Sequence, residues 1–446
     1  MRIVGLIFFS NLYITLIGWD GLGVSSFLLI IYYKNRKRLG SGMITALSNR
    51  MGDCLFLCLL GFFIYSDHIL LLSLLICISI TKRAQFPFTA WLPAAMAAPT
   101  PVSALVHSST LVTAGVYVLI RYCGSDITIL QYLGSCTMVL AGMAACVERD
   151  LKKVVALRTL SQLGVMIVGL GVHEKSYCFF HLLSHACFKA LLFLCVGTSI
   201  HISYGSQEYR RYNLTPKLLV SIAMMVATIS LMGFIFTSGF YSKDKIIEAL
   251  LGEKCSWVST LFFLGVGLTS CYSMKMLLRG LSITRAGSST TAGGGFSRQV
   301  NVPLMLIGFL RLFFGTRVGT YCNPNVLILC SEFNTHHLNW DLLFAPILIL
   351  IGFCVGARTP RNCTFYRSIC TIVPWSQHLA HYSVHTGNVQ SRIDKGWVEI
   401  RARSISPFTN SVIARHTPTV CIGMRITLIY FLFYVEYIHN VPLNIH

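Results

Sequence analysis

Residues 217–245 read KLLVSIAMMVATISLMGFIFTSGFYSKDK, and this stretch decides the fold class of the chain. Its apolar first half meets Gly233 and Gly239 and then restarts with the charged residues Lys243 and Asp244. A lipid-compatible run that is interrupted by glycines next to an ionisable side chain is typical of a discontinuous membrane helix. We therefore expect a broken membrane helix here, with a lysine beside the break.

A second interrupted run occurs earlier in the chain. It ends at Lys82 and is followed by the proline-rich segments Phe86-Pro87-Phe88, Trp91-Leu92-Pro93 and Pro99-Thr100-Pro101. Proline removes a backbone donor and stops or kinks a helix. Two broken helices in corresponding parts of two halves indicate the inverted repeats of secondary transporters, whose ion sites lie at such breaks.

The composition agrees with a membrane protein. The chain has 446 residues, is 54% hydrophobic and 12% charged, and has a mean hydropathy of +0.66. Most of the residues that give the net charge of +20 lie in short segments between apolar runs. Lysine and arginine in such segments set the orientation of a membrane protein, so the charge does not predict a nucleic-acid partner. Most of the 17 cysteines fall inside apolar runs without any CxxC pair, so we expect buried, reduced thiols, as at Cys54, Cys58, Cys77, Cys187, Cys195 and Cys271.

Twelve apolar runs are each compatible with a helix. They cover residues 9–33, 44–65, 69–83, 102–122, 127–147, 153–172, 176–200, 216–237, 257–279, 302–320, 341–357 and 420–439. The sequence therefore predicts an all-α, polytopic transmembrane helical bundle with antiporter-like inverted repeats. If consecutive runs cross the membrane in alternating directions, most Lys and Arg residues lie on one side of the membrane. The positive-inside tendency assigns that side to the matrix or cytoplasm.

The predicted organisation has five parts. Residues 1–122 form a first half-repeat, residues 123–280 a second half-repeat, and residues 281–375 peripheral transmembrane helices. Residues 376–418 are polar and basic with interleaved apolar residues, which predicts a lateral amphipathic helix, and residues 419–446 supply a C-terminal anchor.

Ionisable residues inside apolar runs predict a pathway, since a charge in lipid is costly unless it faces a partner or a water-filled cavity. Asp20 lies in the middle of the first run, and an acid such as this close to Lys82 would form a charge pair able to act as a switch. The alternative for Lys82 is a terminal cation that reaches back to the interface. Arg50 and Asp53 are interpreted as a local ion pair.

The richest run holds three basic residues at steps of four. His181, His185 and Lys189 share one helical face, and a row of proton acceptors is favoured over a metal pair because no third ligand is near in sequence. Lys243 is a candidate exit lysine with Asp244 as its counter-charge. The remaining candidates are His107, whose imidazole suits proton hopping, and Asp150, in a charge cluster at a run boundary; a core histidine and a solvated loop charge are the alternatives.

Several of these segments resemble chain 5 of the mitochondrial NADH-ubiquinone oxidoreductases. They are Gly18-Trp19-Asp20-Gly21-Leu22-Gly23, Trp91-Leu92-Pro93-Ala94-Ala95-Met96, the segment from Pro99 to Thr110, Ser184-His185-Ala186-Cys187-Phe188-Lys189 and Gly239-Phe240-Tyr241-Ser242-Lys243-Asp244. The resemblance covers roughly residues 11 to 280. It implies an antiporter-like, proton-translocating membrane subunit of respiratory complex I, located in the mitochondrial inner membrane beside sister antiporter-like chains.

The resemblance also assigns roles. It implies that Asp20 and Lys82 form the acid–lysine pair, with Asp20 in place of the family's glutamate. His107 is implied to be a connecting histidine, and His181, His185 and Lys189 the central axis. Lys243 and Asp244 match the second broken helix, and Asp150 matches an acid before the tenth helix of the family. Residues 376–418 resemble the lateral helix.

The chain departs from the family pattern at three points. About four further helices normally precede the Gly-Trp-acid motif, Asp20 is one methylene shorter than glutamate, and Arg83 adds a cation beside Lys82. The sequence holds no GxGxxG dinucleotide motif and no cysteine spacing for an iron–sulfur cluster. NAD, FMN, iron–sulfur clusters and ubiquinone are therefore expected on other subunits, with no cofactor on this chain. Two alternatives stay open: a subunit of a multi-subunit sodium–proton antiporter, and a structural membrane subunit that does not pump.

Overall fold

A computed structural model gives the architecture of the chain. It describes residues 6–8, 11–32, 36–62, 68–89, 91–104, 110–123, 128–148, 150–202, 205, 207–208, 218–234, 237–252, 256–281 and 340–358. The chain divides into two compact units, Met1–Ser383 and Val384–His446, and every described residue belongs to the first. The predicted lateral helix at 376–418 and the predicted runs at 302–320 and 420–439 lie outside the described residues.

The described part of the chain forms helices and no β-strand. The helices are α1 (Leu12–Ile31), α2 (Arg36–Phe62), α3 (His68–Lys82), α4 (Trp91–Ala95), α5 (Thr100–Val102), α6 (Leu111–Tyr122), α7 (Thr128–Val147), α8 (Leu151–Gly171), α9 (Lys175–Ile202), α10 (Leu218–Met232), α11 (Ser238–Gly252), α12 (Ser256–Leu281) and α13 (Trp340–Arg358). The predicted all-α class is confirmed.

Six of these helices are long and apolar enough to cross a membrane: α1, α2, α7, α8, α9 and α12. Shorter apolar helices, including α3, α6 and α10, pack among them. Helix α2 begins at Arg36, so the second predicted run starts too late at residue 44. The predicted run includes only the mainly apolar stretch, whereas the helix also includes the more polar residues 36–43 that precede it.

Helix α8 is the centre of the bundle. The whole of its membrane-spanning window is buried inside the protein, with α7 and α9 packed on either side. Close approach of α7 and α8 depends on Gly134 and Gly164, since a Cβ atom on either glycine would lie 2.7–2.8 Å from the carbonyl oxygen of the other. Small residues at helix contacts allow this backbone approach in membrane proteins.

Both predicted breaks are present. Helix α3 ends at Lys82, and the next helix, α4, begins at Trp91. The indole N–H of Trp91 donates to the carbonyl of Thr81 at 3.0 Å. Helix α10 ends at Met232, where Gly233 adopts a φ of +79°, and α11 begins at Ser238. A φ in this range favours glycine, which explains why the second break occurs at this residue.

The cysteines only partly follow the expectation of burial. Cys195 and Cys271 are buried, but Cys54, Cys58 and Cys77 lie exposed on the outer surface of the bundle. The expectation is wrong for these three because a membrane helix is apolar on its lipid-facing side as well as on its core side. Position within an apolar run therefore does not distinguish the two environments.

Candidate functional site: a buried row of basic side chains

Lys82 is held inside the bundle at the first break. Its side chain is fully buried, and its amine donates to the main-chain carbonyl of Trp19 on α1 at 2.5 Å. The same amine lies 3.9 Å from the centre of the Trp19 ring. A carbonyl dipole and an aromatic face both stabilise an ammonium group without neutralising it. The alternative of a cation reaching to the interface is therefore wrong.

Lys82 meets an acid, but not the predicted one. Asp53 on α2 lies 3.8 Å from the Lys82 amine, while Asp20 bonds to Arg50 at 3.1 Å. Arg50 is also 3.6 Å from Asp53, so the four charges form a chain from the surface of the bundle to its interior. The predicted ion pair of Arg50 and Asp53 is therefore confirmed, whereas the predicted direct contact of Asp20 with Lys82 is corrected: Asp53 contacts Lys82, and Asp20 contacts Arg50.

Arg83, the extra cation next to Lys82, points to a different helix. It is fully buried, and its guanidinium donates to the carbonyl of Gly115 on α6 at 2.7 Å. Lys82 turns toward α1 instead, so the two neighbouring cations do not share a partner. Adjacency in sequence at the end of a helix therefore does not place their charges at one site.

The row on α9 is present as predicted. His181, His185 and Lys189 are all fully buried, and the two imidazole ring centres are 6.4 Å apart. His181 Nδ1 is 2.7 Å from the hydroxyl of Ser242 on α11, and the Lys189 amine donates to the Val155 carbonyl on α8 at 3.1 Å. The α9 row thus joins the central helix to the second broken helix.

The imidazole ring of His185 packs against the rings of His181 and Phe188. Neither of its ring nitrogens has a hydrogen-bond partner among the described residues, and Nε2 of His181 has none either. Buried polar atoms of this kind are normally satisfied by internal water. In the described part of the chain, no group of three His, Cys, Asp or Glu side chains is arranged to hold a metal ion near these rings.

Arg158 is a buried cation that sequence reasoning missed. It lies on α8, fully buried, with its guanidinium donating to the Tyr272 carbonyl at 2.6 Å and stacked 4.9 Å from the Tyr272 ring. The sequence signal for this residue is a single arginine in the middle of the apolar run 153–172.

Lys243 occupies the second break. It is buried, and its amine donates to the carbonyl of Leu231, at the end of α10, at 2.6 Å. Gly233 makes room for it, because a Cβ at that position would lie 3.2 Å from Cδ of Lys243. Lys243 therefore caps the carbonyl end of the broken helix.

Asp244 is not the counter-charge of Lys243. The described residues give Asp244 no ion-pair partner, and the adjacent ion pair joins Lys245 to Glu248 at 2.7 Å. Successive residues on a helix point about 100° apart, so a neighbour in sequence is poorly placed to contact the same group. Both Lys243 and Asp244 do line a small cleft between α11, α12 and α13.

The last two candidates lie elsewhere. Asp150 precedes α8 and pairs with Lys153 at 3.1 Å, with both side chains about two-fifths exposed. This is the geometry of a boundary ion pair, away from the buried row. His107 lies outside the described residues.

Comparison with known proteins adds the family. A sequence model described as NADH:quinone oxidoreductase/Mrp antiporter, TM, matches residues 59–269. NADH-ubiquinone oxidoreductase chain 5 of Artemia franciscana is 50% identical over 279 residues, 59% of this chain and 51% of that protein. Chain 5 of Lumbricus terrestris is 47% identical over 294 residues, 61% of this chain and 51% of that protein. The chain thus spans about half the length of these two relatives.

Two solved structures share the fold. The Mrp complex from Dietzia sp. superposes with a TM-score of 0.69 at 24% identity, over 95% of this chain and 50% of that chain. A membrane-bound sulfane sulfur reductase, an archaeal respiratory membrane complex, gives a TM-score of 0.62 at 19% identity over 80% of this chain and 75% of that chain. At these identities the likeness concerns the fold alone.

A third relative matches this chain over most of the length of both proteins. Chain 5 of Mytilus edulis is 37% identical over 430 residues, which is 90% of this chain and 76% of that protein. The chain belongs to the NADH-ubiquinone oxidoreductase chain 5 family.

Proposed function

We propose that this chain is a proton-translocating membrane subunit of respiratory complex I in the mitochondrial inner membrane. Its partners are the other membrane-arm subunits, including sister antiporter-like chains. NADH oxidation and ubiquinone reduction take place on other subunits, which hold NAD, FMN, the iron–sulfur clusters and ubiquinone. The part played by this chain is to move protons when those reactions drive it.

The observation that carries the proposal is the buried row of lysines. Lys82, Lys189 and Lys243 each lie at most 3% exposed, and each amine bonds to a backbone carbonyl. Three ammonium groups in a membrane interior would be costly, and none is placed to serve only as an anchor at the interface. Lys82 and Lys243 lie at the two helix breaks, and buried cations at such breaks are typical of an ion pathway.

The chemistry required of the row is proton transfer between neighbours. A neutral lysine or imidazole accepts a proton, and the corresponding cation donates it onward. His181 and His185 link Lys189 with the α11 side of the bundle through Ser242. Water bonded to the unpaired imidazole nitrogens would bridge the remaining gaps.

A sodium–proton antiporter subunit is the second candidate. The matching family description includes Mrp antiporters, and an Mrp complex shares the fold. The two functions would use the same buried residues but differ in the ion exchanged and in the energy source. The chain 5 relatives favour the respiratory complex.

The test is NADH-driven proton uptake into liposomes that contain the complex carrying this chain. We expect uptake that requires NADH, is independent of sodium, and falls roughly 100-fold or more with Lys189→Met, the scale for loss of an essential proton-transfer group. Lys175→Met is the matched control, because Lys175 begins the same helix but lies half-buried at its end. Obligatory sodium would favour the antiporter, and normal uptake in Lys189→Met would favour a structural subunit.

A further inference from the structure

Two buried thiols face each other at a place that the row of lysines does not use. Cys146 lies on α7 and Cys271 on α12, and the two residues are 4% and 3% exposed. Their thiol groups form a hydrogen bond with each other. The two residues are therefore a dithiol whose sulfur atoms already touch, although they are far apart in the sequence.

The packing of α7 against α12 explains why these residues meet. A Cβ on Gly142 would lie 3.0 Å from Cβ of Leu268, and one turn further along α7 the Cys146 carbonyl accepts from the Lys275 amine at 2.8 Å. Both contacts advance toward the C-terminal ends, so the two helices run in the same direction. Cys271 is three residues after Leu268 and four before Lys275, which places it on the same face of α12. The helical register thus brings the two thiols together.

The dithiol lies near one end of the bundle. Cys146 is the second-last residue of α7, which ends at Val147. Just beyond it, Asp150 and Lys153 form an ion pair in which both side chains are about two-fifths exposed. Lys275, which bonds to the Cys146 carbonyl, is itself only half-buried. A small neutral molecule from the aqueous side therefore has about one helical turn to pass before it meets the sulfur atoms.

The surroundings of the dithiol affect its reactivity in two ways. Lys275 and Arg158 lie close enough to act electrostatically on Cys146. Positively charged surroundings favour attack by a cysteine sulfur on an oxidant, whereas burial in apolar surroundings slows it. We therefore expect a slow reaction that requires an oxidant small enough to enter the bundle.

We propose that Cys146 and Cys271 form an oxidisable dithiol that hydrogen peroxide converts to a disulfide between α7 and α12. In the first step the Cys146 sulfur attacks one peroxide oxygen, the O–O bond breaks, and a sulfenic acid and one water form. In the second step the Cys271 sulfur attacks the sulfenic sulfur, the S–S bond forms, and a second water leaves. The two thiols lose two electrons and two protons in total; the peroxide gains both electrons, and the protons leave in the waters.

The contact between the sulfur atoms determines the product. A sulfenic acid without a neighbouring thiol is oxidised further to a sulfinic acid, whereas a thiol in contact with it captures it as a disulfide. The two sulfur atoms have to approach from hydrogen-bond distance to about 2.05 Å. The bond would restrain α12, the helix that follows the second break, against α7. This modification site is independent of the proposed function.

The first experiment looks for the disulfide in the complex that carries this chain. The complex is treated with hydrogen peroxide, its remaining thiols are blocked with N-ethylmaleimide, and it is digested with chymotrypsin without reduction. Mass spectrometry is expected to find a peptide of α7 joined to a peptide of α12 through Cys146 and Cys271. Either Cys146→Ser or Cys271→Ser should abolish the joined peptide. Cys178→Ser is the matched control, because that buried thiol donates to the Met166 carbonyl.

The second experiment tests the register in a chain with the same number of thiols. Cys271→Ser combined with Ser270→Cys moves the thiol by one residue, to a position that packs against Gly352 on α13. Neighbouring residues on a helix do not share a face, so no joined peptide with Cys146 is expected. Native gels establish that each variant complex is assembled before it is oxidised.

The outcomes decide the site without reference to proton uptake. A joined peptide in the native chain and in Cys178→Ser, absent from both single variants of the pair, supports the dithiol. Peroxide that leaves Cys146 and Cys271 as thiols overturns it, and so do separate sulfinic acids without a joined peptide. An equal yield in the Ser270→Cys double variant also overturns it, because the register would then not select the partner. Failure of the proposed function would instead appear as normal proton uptake in Lys189→Met.

Discussion

The two broken helices each hold a buried lysine, but the electrostatic surroundings of the two lysines differ. At each break a buried lysine donates to a carbonyl, Trp19 for Lys82 at 2.5 Å and Leu231 for Lys243 at 2.6 Å. Lys82 also has Asp53 at 3.8 Å, with Arg50 and Asp20 beyond it, whereas the described residues give Lys243 no acidic partner. The first lysine is therefore open to control by neighbouring charges, and the second depends on its backbone setting.

The largest expected effect is loss of either lysine. Lys82→Met and Lys243→Met keep most of the side-chain volume and remove the amine, so each is expected to reduce NADH-driven proton uptake roughly 100-fold or more. Assembly on native gels should stay near normal. The control is Lys245→Met, which removes an amine paired with Glu248 near the second break. A variant at one break that pumps normally would show that the two breaks do not contribute equally.

The next prediction compares the acidic residues near the two breaks. Asp53→Asn is expected to slow proton uptake roughly ten-fold, because a charge 3.8 Å from Lys82 contributes one to a few kcal/mol there. Asp244→Asn should change uptake by less than about two-fold, since Asp244 does not contact Lys243. Asp20→Asn should fall between them because it acts through Arg50. Equal losses in Asp53→Asn and Asp244→Asn would remove the distinction.

The backbone at the breaks gives a smaller effect. Gly233→Ala places a side chain at φ +79° and within 3.2 Å of Lys243 Cδ, so it is expected to destabilise the fold by about 1–2 kcal/mol. Ala84 at the first break already tolerates a φ of 56°, and Ala84→Gly should be nearly neutral because relief of strain offsets the added flexibility. Thermal unfolding of the two assembled variants measures the difference. A stable Gly233→Ala complex would show that the second break does not need glycine.

The breaks and the α9 row were predictable because their causes are local. Proline and glycine act on their own turns, and residues at steps of four share a face in any helix. The partner of Lys82 was not predictable in this way. Arg50 and Asp53 are three residues apart and contact each other, as their spacing predicts. The contact of Asp53 with Lys82 depends on the packing of α2 against α3, which spacing within one helix does not predict.

Buried polar groups without charge were the other omission. Asn49 lies in the predicted run 44–65, and the recurrence of Ser41, Thr45, Asn49 and Asp53 at steps of four is visible in the sequence. Which way these residues face depends on how α1 packs against α2. The sequence shows that polar residues recur every four positions, whereas the structure shows that Asn49 faces α1.

The smallest expected effect concerns Asp150, which the family resemblance places among the functional acids. Its side chain is 42% exposed and pairs with Lys153, 41% exposed, at 3.1 Å, so Asp150→Asn should cost less than about 0.5 kcal/mol of stability. Proton uptake should stay within about two-fold of the native rate, well above that of Asp53→Asn, whose carboxylate adjoins a fully buried lysine. Lys153→Met provides the matched control, because it breaks the same ion pair from its other side. If Asp150→Asn slowed uptake strongly while Lys153→Met did not, the Asp150 carboxylate itself would lie on the proton route, and burial would no longer distinguish the residues that carry protons from those that do not.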